Sequence, residues 1–108
     1  ILPGAVSRRA RWGYRQEGEA WVPRASQAVM AQLIDGFRTP YAVEFANVPS
    51  PMTHLRGARS AIVSEAAWSE ARALRPTDRW VDVDDADHYI PEERPDLVAA
   101  EIARALGV

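Results

Sequence analysis

Two periods of apolar residues organise this chain. Val29, Met30, Leu33, Ile34 and Phe37 fall at i, i+1, i+4, i+5 and i+8, one stripe of a helix, and Ser26 stands where a side chain accepts from its first free N–H groups. A core-facing helix is predicted over about 26–38, weakened at Gly36 and closed by Pro40. Another turn or two over about 41–48 puts Tyr41, Phe45 and Val48 on one side before Pro49 and Pro51. A strand over about 52–56 runs into Gly57. Ser64 then caps a helix over about 64–74 whose Ala67, Trp68, Ala71 and Leu74 share a face. Arg75-Pro76-Thr77-Asp78 is a turn, and Trp80, Val81 and Val83 mark a second strand over about 79–83. Pro95 suits the first position of a last helix over about 95–106, with Leu97, Val98, Ile102, Ala105 and Leu106 as its buried stripe and Gly107 at its end.

Strand, helix, strand at this spacing is a βαβ unit, so the class is α/β and the strands are expected to be parallel with a right-handed crossover. Two strands do not make a stable sheet, and a parallel sheet needs cover on both faces. The segment is therefore expected to dock on strands outside this sequence or on a second copy. Residues 1–25 hold Pro3, Gly4, Gly13, Gly18 and Pro23, the cluster Arg8, Arg9, Arg11 and Arg15, and Trp12, Tyr14 and Trp21. No period survives there, which predicts loop and short-helix material with the tryptophans as anchors or as pocket lining. The chain divides on this reading into 1–50 and 51–108.

Composition narrows the function classes. A net charge of −2 gives no electrostatic reason to expect nucleic acid or an anionic membrane. All thirteen basic residues are arginine, a bias read as that of a GC-rich bacterial coding sequence. With no cysteine there is no disulfide, thiolate metal site or cysteine nucleophile. No apolar run approaches the ~20 residues of a membrane span and no signal peptide opens the chain, so a cytoplasmic location is expected. Beginning at Ile1 rather than methionine, the chain is expected to be processed, cleaved or excerpted.

The chemistry concentrates in Val81-Asp82-Val83-Asp84-Asp85-Ala86-Asp87-His88-Tyr89-Ile90-Pro91-Glu92-Glu93-Arg94-Pro95, a strand, an acidic turn with one histidine, and a helix start. Histidine at the mouth of a strand-to-helix loop is where α/β enzymes keep a proton-transfer group. A metal reading of Asp82, Asp84, Asp85, Asp87, His88, Glu92 and Glu93 is weaker: an EF-hand register puts Ala86 at a ligand position, and a solvated acidic edge is favoured. No metal or organic cofactor is implied. Glu92 and Glu93 are expected to favour the last helix through its dipole. His54 is expected to be a hydrogen-bonded sheet histidine.

From Pro51 to the end the chain resembles the C-terminal part of the α/β-hydrolase fold. Pro51-Met52-Thr53-His54-Leu55-Arg56-Gly57 is similar to that family's penultimate strand, and Val81 to Pro95 to its last strand, catalytic-histidine loop and final helix entry. Residues 1–50 resemble, more weakly, the end of the mobile cap. The resemblance implies that His88 is the general base, taking a proton from a nucleophile or water and returning it to the leaving group. It implies cleavage of a small, mostly apolar ester, lactone or carbon–carbon bond, with Trp12, Trp21 and Tyr89 as candidate substrate-pocket residues.

Three positions depart from the family pattern. No G-x-S-x-G elbow is present, so the nucleophile is expected from residues outside this sequence. Three places after Gly57, where the family often carries the triad acid, stands Ser60, so the acid is expected after an earlier strand outside this sequence, as in some relatives, or is lost. The turn before the histidine, commonly glycine-rich, is Asp85-Ala86-Asp87, whose carboxylates would favour imidazolium. The second reading is a non-catalytic remnant of the fold serving as an interaction or dimerisation module.

Overall fold

The computed structural model describes residues 4–37 and 39–108. Residues 1–3, with Pro3, and Arg38, the expected end of the first predicted helix, lie outside the described residues. The chain divides into two compact units, Ile1–Pro40 and Tyr41–Val108.

The first unit is more regular than its sequence suggests. It holds α1 (Ala5–Gly13), an antiparallel hairpin of β1 (Tyr14–Glu17) and β2 (Ala20–Pro23), and α2 (Gln27–Gly36). The hairpin turns on two residues, Gly18 and Glu19, and Gly18 takes the left-handed conformation (φ 61°) that such turns require. Loop was expected here because apolar alternation appears only when one strand face is buried, and no residue of either strand is. The α2 helix starts as predicted, with Ser26 Oγ accepting the Val29 N–H at 3.1 Å. Its predicted core-facing stripe, however, is not buried: Val29, Met30, Leu33, Ile34 and Phe37 all stay exposed. Periodicity fixes which face of a helix is apolar, not whether anything covers it.

The second unit contains α3 (Ala42–Ala46), β3 (Thr53–Gly57), α4 (Glu65–Leu74), β4 (Arg79–Val83), α5 (Ile90–Glu93) and α6 (Pro95–Leu106). Strands β3 and β4 are parallel, in the register Leu55 to Val81 and Gly57 to Val83. The fold is thus the mixed helix-and-strand, parallel-sheet arrangement expected, with each predicted element within two residues of its predicted bounds. The four-residue helix α5 inside the histidine loop was not anticipated.

Strand alternation splits the ribbon into two unlike faces. Leu55, Val81 and Val83 look one way and pack with Ala86, Ile90, Leu97 and Val98 into the core. His54, Arg56, Trp80 and Asp82 share the other side. There His54 stacks on Trp80 at 3.9 Å, between Phe45 of α3 and, beyond Trp80, Trp68 of α4. The expected burial of the whole α6 stripe is corrected: Leu97 and Val98 join the core, whereas Ile102 and Leu106 remain exposed. The helix packs chiefly against α5, so only its first turn, with Leu97 and Val98, meets the core. Among the described residues no helix is long and apolar enough to cross a membrane.

A polar lock closes the end of the ribbon where the strands begin. Arg75 donates to the carbonyls of Phe45 (3.1 Å), Val48 (2.8 Å) and Ser50 (2.8 Å), and with Nε and Nη2 to the Asp78 carboxylate. Asp78 also accepts the Met52 N–H at 3.3 Å and lies 2.8 Å from His54 Nε2. These contacts, the Arg75 bond first and then those to His54 and Met52, hold the Asp78 carboxyl well below the usual carboxylate range against the opposing effect of its burial. His54 is therefore the hydrogen-bonded sheet histidine expected.

Candidate functional site

The other end of the ribbon, beyond the carboxyl ends of β3 and β4, carries His88. Ligand sites of parallel α/β sheets form on this side. The loop from Asp84 to Tyr89 leaves β4 and folds back across the end of β3. The crossing is backbone on backbone: a Cβ on Gly57 would lie 1.9 Å from the Asp87 carbonyl oxygen and 2.6 Å from that of Ala86. Only a residue without a side chain fits there. Ala86 is fully buried beneath the turn, and its carbonyl accepts the Arg59 N–H at 3.1 Å. Ala58 N–H donates to the Val83 carbonyl at 2.9 Å, so the segment after β3 and the loop after β4 are sewn together.

The acidic residues of the turn are engaged in holding its shape. Arg94 pairs with Asp85 at 2.9 Å, and the Arg59 guanidinium donates to the Asp85 carbonyl. The Asp87 carboxylate accepts the His88 N–H at 2.8 Å, and Glu93 accepts the Asp87 N–H at 2.9 Å. The charge expected to weigh on the histidine is thus partly spent on Arg94, whose pKa is pushed up by its bonds to Asp96 and then Asp85. Glu93 serves the loop by a direct hydrogen bond, an acceptor role added to the dipole effect expected of it. Among the described residues no three His, Asp or Glu side chains converge as a metal site.

His88 is half-buried, and its Nδ1 lies 3.2 Å from Ser60 Oγ. Ser60 is itself buried, and its oxygen accepts the N–H groups of Val63 (3.1 Å) and Ile62 (3.3 Å). The residue three places after Gly57 therefore does reach the histidine, with a hydroxyl where a carboxylate was looked for. Among the described residues the opposite ring nitrogen, Nε2, has no hydrogen-bond partner. Tyr89 packs edge-on against the imidazole, ring centres 5.3 Å apart, and is half exposed.

Trp12 and Trp21 belong to the Ile1–Pro40 unit, on α1 and β2, and both are largely exposed. Arg11 lies over the Trp12 ring at 4.8 Å. Trp21, Tyr14, Arg11, Ala10 and Ser7 line an open cleft of about 660 Å³, which Trp12 does not border. Sequence reasoning passed over Arg75 and Asp78, read as a turn. Their signal is an arginine and an aspartate three apart beside a histidine-bearing strand.

No family model matches the chain. It is 36% identical over 102 residues to 2-(acetamidomethylene)succinate hydrolase of Mesorhizobium japonicum, an alignment covering 94% of this chain and 37% of that protein. The crystal structure of E-2-(acetamidomethylene)succinate hydrolase superposes with a TM-score of 0.83 at 34% identity, over 93% of this chain and 37% of that one. The chain thus spans little more than a third of the length of the curated relative it matches.

Proposed function

From a chain that carries the C-terminal portion of an α/β-hydrolase fold, we propose that it is part of a hydrolase and supplies His88 as its proton-transfer residue. The observation that carries the reading is the loop geometry: His88 sits past the carboxyl ends of parallel strands, with Nδ1 beside the buried Ser60 hydroxyl and Nε2 without a partner among the described residues. In this role Nε2 exchanges a proton with a nucleophile, with water and with the leaving group, while the second ring nitrogen is held in place. Nucleophile and oxyanion donors come from the remainder of the hydrolase core, which also pairs along the open edge of the ribbon; a second copy is the other candidate for that edge.

The relative's name describes a succinate bearing an acetamido group, so a small acid with an amide bond is the substrate class we favour over the mostly apolar ester, lactone or carbon–carbon bond expected from the sequence. Trp12, Trp21 and Tyr89 stand as proposed pocket residues. The test is hydrolysis of 2-(acetamidomethylene)succinate and a panel of amides and esters by the protein at its full natural length. His88→Ala should cut turnover by about 10²–10⁴-fold with an unchanged unfolding transition. Turnover near wild type in that variant removes the role given to His88.

One observation favours the second reading, a non-catalytic remnant that serves as an interaction module: a neutral hydroxyl, not a carboxylate, backs the histidine. Failure of the full-length protein to hydrolyse any member of the panel would favour it.

A further inference from the structure

The peptide that leads into His88 is gripped at both ends. On one side the Ala86 carbonyl accepts the Arg59 N–H at 3.1 Å, from the segment after β3. On the other the Asp87 N–H donates to Glu93 Oε2 at 2.9 Å, from α5. A peptide is a rigid plane, so one bond would leave it free to swing about that contact, whereas two at opposite ends fix its tilt. The next peptide inherits that setting. Its N–H, that of His88, donates to the Asp87 carboxylate at 2.8 Å, and its carbonyl, that of Asp87, is the oxygen seated against Gly57. Glu93 lies downstream of the histidine, so its bond to Asp87 closes a ring of chain with His88 inside it. The far side of that ring is stiff. Pro91 sits in the first turn of α5, and the N–H groups of Glu92 and Glu93 return to the Tyr89 carbonyl at 3.0 and 3.1 Å, that of Arg94 to Ile90 at 2.7 Å. Ile90 belongs to the core. One turn of helix thus ties the Glu93 carboxylate to the core, and a carboxylate accepting an N–H makes one of the stronger, charge-assisted bonds.

We propose that Glu93 is a positioning residue for His88: by accepting the Asp87 N–H it fixes the backbone from which the imidazole is aimed. It acts as a hydrogen-bond acceptor, and its charge is secondary. An imidazole transfers a proton only within hydrogen-bond reach of its partner, so a small tilt of its backbone slows the transfer while leaving substrate contacts elsewhere intact. The loss should therefore fall on kcat and spare KM. The effect on turnover rests on the proton-transfer role proposed for His88; the setting of the loop does not, and it is measured without substrate.

The experiment compares Glu93→Ala and Glu93→Gln in the protein at its full natural length, by two readouts. Without substrate, NMR follows the amide proton of Asp87. In the wild type it should lie downfield, as an N–H held by a carboxylate does. Glu93→Ala should move it toward solvated amides, and Glu93→Gln should keep most of the displacement. With a member of the amide and ester panel that the protein hydrolyses, Glu93→Ala should lower kcat per folded molecule by about 10²-fold, the loss that a misplacement of about 1 Å brings, and leave KM near wild type. Glu93→Gln should restore most of kcat, since its Oε1 accepts the same N–H. A purely structural glutamate would change the unfolding transition and the folded fraction, not the kcat of molecules that stay folded. An Asp87 amide unmoved in Glu93→Ala overturns the proposal, as does a wild-type kcat in that variant or a Glu93→Gln as impaired as Glu93→Ala. If Glu93→Ala does not fold, the wild-type amide and Glu93→Gln decide, and a wild-type Asp87 amide at the position of a solvated one refutes the bond outright. A protein that hydrolyses nothing, yet whose Asp87 amide moves in Glu93→Ala, would sink the role of His88 and leave the hold of Glu93 on the loop standing.

Discussion

Gly57 and Asp87 meet backbone to backbone, with no room between them for a single added carbon: the Cβ of any other residue at 57 would stand 1.9 Å from the Asp87 carbonyl oxygen. The histidine loop is therefore held down from beneath by the absence of a side chain. Gly57→Ala is expected to force the loop off the end of β3, at a cost of about 1–3 kcal/mol or more in line with other overpacked interiors. His88 would move with it, so the Nδ1 contact to Ser60 should be lost. Equilibrium unfolding and the ring resonances of His88 check the two halves separately. Wild-type stability together with an undisturbed His88 would mean that the loop yields freely.

Arg75 is the corresponding fixture at the opposite end. Its guanidinium spends its donors on three carbonyls and on Asp78. Arg75→Ala removes the arginine from the buried Asp78 carboxylate, which keeps only Met52 and His54, and should cost about 3–5 kcal/mol. Arg75→Lys should recover little of that, because one ammonium cannot reproduce a planar fork. Urea denaturation of the two variants tests the ranking, and a lysine variant as stable as wild type would refute it.

The Asp78 carboxyl gives the fold an acid limb. Its folded pKa lies below its ordinary value of 3.8, chiefly through Arg75, so the stability it contributes is complete above that value and is lost as pH falls beneath it. Unfolding free energy should decline as pH is lowered from about 4 toward 2. In Asp78→Asn, less stable throughout, the same interval should show a shallower slope. An unchanged slope would assign the acid limb to other carboxylates.

A smaller effect is expected at Ser64, whose hydroxyl accepts the Ala67 N–H at 3.1 Å at the head of α4. Ser64→Ala should lower stability by about 1 kcal/mol, as loss of an N-cap does. The urea midpoint should fall while the slope of the transition stays the same.

Elements whose sequence signal is local were legible. Ser26 and Ser64 announce their helices because a cap acts within three residues, and Pro95 and Gly107 bound α6 for the same reason. The hairpin of β1 and β2 was missed because neither face is buried, so nothing selected alternation, although Gly18-Glu19 is a two-residue turn in plain view. His88 could be found because its surroundings follow a contiguous pattern. The Arg75 lock could not, because its partners Phe45, Val48 and Ser50 are some 25 to 30 residues away and accept through backbone carbonyls that every residue has. Ser60 was noticed as a departure, but its two N–H partners at Ile62 and Val63 depend on a turn that periodicity does not describe.

The stack of His54 on Trp80 makes the molecule legible to light. An imidazolium ring in face contact with an indole quenches its emission, so protonation of His54 should darken Trp80 from within the ribbon. Trp12 and Trp21, at 63% and 64% exposure, sit in the other unit and remain open to a dissolved quencher that reaches the half-buried Trp68 and Trp80 more slowly. With the outer pair suppressed by acrylamide, the remaining fluorescence reports on the end of the sheet farthest from His88, and a change there on binding at the loop would reveal that the two ends of the ribbon communicate.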